Sequence, residues 1–133
     1  MDILIKFIIA FVILDIIIII YVFWQKRKSG LSDYEKKKYL KYWHKICNED
    51  DSLKAVLDSD KLLSILLGRH GLQGSLGEKL KKAGAILSDY EDVWSVHKLR
   101  NRIAHDLEHG VSDQEAKKAL KIYAKAFKDL GIL

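Results

Sequence analysis

Proline is absent from the 133 residues, cysteine occurs once, and one long stretch near the N-terminus is almost free of charge. With no proline there is no Pro-rich spacer, and no low-complexity linker or internal repeat takes its place. The single Cys47 excludes an intrachain disulfide framework. No CxxC pair or Cys/His cluster suggests structural zinc, so Cys47 reads as a buried or idle thiol in a reducing compartment. No segment alternates apolar and polar residues with β-branched enrichment, which leaves no signal for a sheet. The glycine-rich stretch GRHGLQGSLGEK lacks the G-x(4)-G-K-[ST] order of a phosphate-cradling loop.

Residues 3–24, ILIKFIIAFVILDIIIIIYVFW, carry only Lys6 and Asp15 as charges. As a helix this run spans about 33 Å, enough for a hydrocarbon core of ~30 Å. It ends in the aromatic residues Tyr21, Phe23 and Trp24, followed at once by Lys26, Arg27 and Lys28. A cleavable signal peptide has a shorter apolar core after a cationic start and ends in small residues. The pattern here is that of a retained anchor over residues 1–24, with a basic juxtamembrane linker at 25–30. Lys26, Arg27 and Lys28 are the expected contacts with the lipid surface. Positive charge follows the helix and only Met1 and Asp2 precede it, so the positive-inside rule predicts the N-terminus outside and residues 25–133 in the cytoplasm. Lys6 lies near enough to the end to snorkel. Asp15, near mid-span, either bonds across a helix–helix contact or is tolerated as a protonated acid.

The basic pI near 9.2 belongs to a short region. Residues 25–48 hold eight Lys/Arg against Asp33 and Glu35, whereas residues 49–133 hold 14 of each sign. The excess therefore reports attraction to anionic headgroups. It is not a nucleic-acid footprint. Lys36, Lys37 and Lys38 extend the excess into the first helix of the distal domain, as headgroup contacts or as a solvated face.

Beyond Gly30 the chain reads as helix throughout. Four segments open with S-x-x-E, at Ser32/Glu35, Ser75/Glu78, Ser88/Glu91 and Ser112/Glu115. In that capping box the hydroxyl and the carboxylate satisfy donors of the first turn reciprocally. A fifth helix starts at Asp51 or Ser52. Leu53, Val56, Leu57, Leu63 and Leu67 form one apolar stripe, and Ala116, Leu120, Tyr123, Phe127 and Leu130 form another. Gly68, Gly71, Gly74 and Gly110 mark breaks and Gly131 a stop. Tyr39, Trp43, Trp94, Tyr123 and Phe127 read as core. The fold expected is all-α: an N-terminal transmembrane helix, then a compact five-helix up-and-down bundle over residues 31–133.

One helix breaks its own pattern. In SDYEDVWSVHKLRNRIAHDLEHG, Val93, Val96, Ile103, Ala104 and Leu107 gather on one arc at about 100° per residue, and Arg100 falls within it. His97, Asn101 and His105 form a polar row on its flank, while Ser95, Lys98, Arg102 and Asp106 face outward. An arginine on an apolar face needs a partner or a cleft. Such breaks tend to mark sites.

The segment His97-Lys-Leu-Arg100-Asn101-Arg-Ile-Ala-His105 resembles the R-x(4–6)-H signature of the HEPN superfamily of small helical bundles. Arg100 and His105 match the motif, and Asn101 matches the polar residue that often follows the arginine. The likeness extends over roughly residues 31–133, with its specific part about ten residues long. It implies one of two activities: metal-independent RNA cleavage by a homodimer whose two motifs face each other, or a non-catalytic RNA- or protein-binding or dimerisation module. For cleavage, His105 would act as acid/base and Arg100 would fork onto phosphate. Asn101 would orient the imidazole or hold the nucleotide, with His97 and Arg102 as further binding residues.

The residues leave other readings open. Arg100 can instead pair with a buried acid, Asp58 or Asp60. The neutral balance of residues 49–133 argues against tight RNA binding. His105 and His109 lack a third ligand, so no metal and no small-molecule cofactor is expected. The partners expected are the bilayer, a second copy of the chain, and RNA.

Overall fold

The computed structural model describes the backbone of residues 2–28, 30–105 and 110–133, and the side chains of these except 23–28. The side chains of Lys26, Arg27 and Lys28, and all of Asp106, Leu107 and His109, lie outside the described residues. Two compact units result, residues 1–30 and 31–133. Every described residue outside turns and short connections is helical, and none is in a strand.

The first unit is one helix, α1 (Asp2–Lys28). Its described side chains are all exposed, and the part from Asp2 to Val22 is long and apolar enough to cross a membrane. The helix continues through Gln25–Lys28, which the sequence places in a linker. Lysine and arginine are good helix formers and no proline or glycine intervenes before Gly30, so nothing local stops it.

The second unit contains α2 (Asp33–Cys47), α3 (Ser52–Arg69), α4 (Leu76–Lys82) with a 3-10 turn at Ala83–Ala85, α5 (Tyr90–His105) and α6 (Asp113–Asp129). Helix α3 is the centre. It packs against α2, α4, α5 and most extensively α6. Val56, Leu63, Leu66 and Leu67 of α3 are fully buried against Tyr123 and Phe127. Ala116, Ala119 and Ala126 supply the small side chains that let α6 approach closely. The edge of Trp43 meets the Phe127 ring at a centroid distance of 5.0 Å. Truncating Phe127 to alanine in such a site costs about 3–5 kcal/mol.

Three capping boxes form as expected, at Ser32, Ser75 and Ser112. In each, the hydrogen bond from the Ser amide, and after it the one to the Ser side chain, holds the pKa of the partner Glu35, Glu78 or Glu115 below its ordinary value. The fourth does not form. Ser88 donates from both its amide and its hydroxyl to Oδ2 of Asp129, each at 2.8 Å, and α5 begins at Tyr90. A tie between the start of α5 and the end of α6 has displaced the local cap.

Gly68 also departs from the expectation, since it sits inside α3 and the break comes at Gly71. There a φ of +87° closes the helix while the Leu72 amide donates back to the Leu67 carbonyl at 3.1 Å. Gly131 ends α6 in the same way, at φ +85°, with the Ile132 amide on the Phe127 carbonyl. Both are Schellman stops, which need a left-handed residue and therefore favour glycine.

Candidate functional site

The site is organised by Asp60, a carboxylate 4% exposed on the core face of α3. It is bound from two neighbouring helices. From α6 the Tyr123 hydroxyl donates to Oδ1 at 2.9 Å. From α5 the His97 Nδ1 lies 3.1 Å from the same oxygen and 3.3 Å from Oδ2. A carboxylate only accepts, so the geometry assigns the proton to Nδ1. One turn further along α5, Arg100 brings Nε to 3.2 Å from Oδ2. That N–H is buried and off-line, so the contact is an ion pair without a directed hydrogen bond.

The remainder of the cluster supports these groups. Trp94 stacks on the His97 ring at 5.7 Å with an interplanar angle of 8°. The Nη1 of Arg100 donates to Oδ1 of Asn101 at 3.1 Å. Burial, then the Asp60 charge and hydrogen bond, push the Tyr123 hydroxyl far above its ordinary range, against a smaller pull from Arg100. A carboxylate with three donors or counter-charges around it is a well-satisfied interior group.

The candidate residues are therefore dispersed. Arg100, Asn101 and His97 are gathered, but around Asp60. His105 is exposed at the last residue of α5. Arg102 faces outward and pairs with Glu115 of α6 at 3.4 Å. Asp58, the other acid considered for Arg100, points away and meets Lys61 at 3.4 Å. Among the described residues no group of three His, Cys, Asp or Glu side chains is assembled to hold a metal. Cys47 is exposed at the end of α2, and partial burial of its thiol pushes its pKa up.

In the sequence Asp60 is one of two acids within reach of Arg100, and Tyr123 reads only as core. A signal for Asp60 was present in VLDSDKLL. It stands four residues after Val56 and three before Leu63, which puts it on the buried stripe, whereas Asp58 falls nearly opposite.

Among the open grooves on the bundle, two run between packed helices. One, of about 560 Å³, runs between α5 and α6 past Trp94, Leu99, Arg102 and Ile122. The other, of about 400 Å³, runs between α2 and α3 past Tyr42, Ile46, Leu62 and Ile65. Neither is lined by Asp60, His97, Arg100 or His105. No family model, curated protein or solved structure matches this chain.

Proposed function

We propose that the chain is a membrane-anchored, HEPN-like interaction module, with α1 spanning the bilayer, the N-terminus outside and the bundle in the cytoplasm. The observation that carries the non-catalytic reading is the Asp60 cluster. Arg100, the residue a phosphate would require, has its charge engaged by a buried carboxylate and its Nη1 by Asn101. A guanidinium so held stabilises the joining of α3 and α5, and pulling it toward a substrate would leave Asp60 short of charge.

A second reading is metal-independent ribonuclease activity. It draws on the 29% exposure of the Arg100 side chain and on the exposed His105. The two are five positions apart, about 140° around a continuous helix. One phosphate would then meet both most readily across a homodimer, one chain supplying Arg100 and the other His105.

Incubating the full chain with mixed RNA in EDTA decides between them. Intact RNA is the expected result. Cleavage abolished by both Arg100→Lys and His105→Ala would establish the nuclease instead, and recovered cleavage on mixing those variants would establish the shared site.

A further inference from the structure

The exposed large apolar side chains described in the bundle are few: Tyr34, Tyr42, Ile65 and the C-terminal Leu133. Two of them, Tyr42 and Ile65, line the same groove between α2 and α3. On α2, Tyr34, Lys38, Lys41, Tyr42 and Lys45 fall within an arc of about 100°, a stripe of two aromatic and three cationic residues. On α3, Lys54, Asp58, Lys61 and Ile65 share one narrow face. The groove's rim holds Lys38, Lys45, Lys54 and Lys61 against only Glu49 and Asp58. Lys54 pairs with Glu49 and Lys61 with Asp58, so the surplus charge rests on Lys38 and Lys45 of α2.

We propose that this α2–α3 face docks onto the anionic leaflet of the membrane, with Tyr42 and Ile65 entering the headgroup region and the lysines meeting lipid phosphates and carboxylates. The proposal rests on α1 being the anchor. Tyrosine, with an apolar ring and a polar tip, is suited to that depth, and lysine stems can lie on apolar surface while their ammonium groups stay wet. The chain supplies the proximity. Only residues 29–32 connect α1 to α2, and that length reaches at most about 18 Å. A soluble acidic protein would have to compete with a charged surface that the tether keeps permanently within reach.

The test uses the full chain carrying Cys47→Ser, reconstituted in nanodiscs of phosphatidylcholine alone or mixed with phosphatidylserine. An environment-sensitive fluorophore is attached at Tyr42→Cys, or at Lys121→Cys on α6 as the control, and read by quenching from lipids labelled near the headgroup. Strong quenching at position 42 is expected in the phosphatidylserine discs only. It should be lost in high salt and in a Lys38→Glu/Lys45→Glu variant whose melting temperature is unchanged. Position 121 should remain in water throughout. A position-42 probe that stays in water in both discs would overturn the proposal. Equal protection in both discs and in detergent would also overturn it, by pointing to a second copy or a protein partner. Failure of the chain to enter nanodiscs would overturn the anchor reading and this proposal with it, whereas entry with a water-exposed probe would overturn the docking alone.

Discussion

The Nε of Arg100 lies 3.2 Å from Oδ2 of Asp60, which makes the first residue of the R-x(4)-H motif a partner of the core. The consequence is a difference between the motif's two ends. Arg100→Ala leaves a buried carboxylate without its cation and should cost about 2 kcal/mol, less than for a fully buried pair because the arginine is partly exposed. Asp60→Ala strips a partner from three groups at once and should cost about 3–5 kcal/mol. His105→Ala should change stability by less than about 0.5 kcal/mol, as for other exposed positions. Denaturant midpoints of the three variants check this order, and equal losses at Arg100 and His105 would contradict it.

Tyr123 gives the fold a dependence on alkaline pH. Burial and the adjacent Asp60 hold its hydroxyl protonated well beyond the ordinary phenol range. In the unfolded chain the same hydroxyl ionises near pH 10. Above that pH the unfolded state binds fewer protons than the native state, so this contribution to stability is full below about pH 10 and declines as pH rises. Tyr123→Phe should cost about 1 kcal/mol at neutral pH for the lost hydrogen bond. It should also remove part of the alkaline decline, so the two stability curves converge above about pH 10. Parallel curves would show that Tyr123 titrates like the other tyrosines.

These features were unequally legible in the sequence. Helix number, type and most starts follow from local rules, because a capping box and an apolar stripe are written within a few consecutive residues. Arg100 was identifiable as a break in pattern for the same reason. Its partner was not, since the choice between Asp58 and Asp60 depends on which face of α3 meets α5. Ser88 failed for a related reason. Its S-x-x-E spacing is intact, but Asp129, 41 residues away, captures both donors, and that competition exists only once α5 and α6 are packed.

The Ser88–Asp129 tie makes a separate prediction. Ser88→Ala and Asp129→Ala should each destabilise the bundle, and the double variant should cost less than their sum by about 0.5–1 kcal/mol. Glu91→Ala should be nearly silent, because Glu91 closes no box. Ser112→Ala, by contrast, removes a formed cap and should cost about 1 kcal/mol. Additive losses at 88 and 129, together with a clear loss at 91, would restore the local cap.

The proposed topology can be tested independently of the bundle's chemistry. Lys26, Arg27 and Lys28 follow the apolar stretch directly. Moving three cations across a bilayer is disfavoured, and orientation follows the side on which they can remain. A phosphatase that is active only after export, fused to Leu133, should therefore stay inactive, while a fluorescent protein that matures only in the cytoplasm should be bright. Replacing Lys26, Arg27 and Lys28 with glutamate, with two lysines added after Met1, should invert the pair of signals. A wild-type fusion with strong phosphatase activity would place the bundle outside. It would then separate Lys38, Lys45 and Tyr42 from the cytoplasmic leaflet, whose anionic lipids make docking favourable.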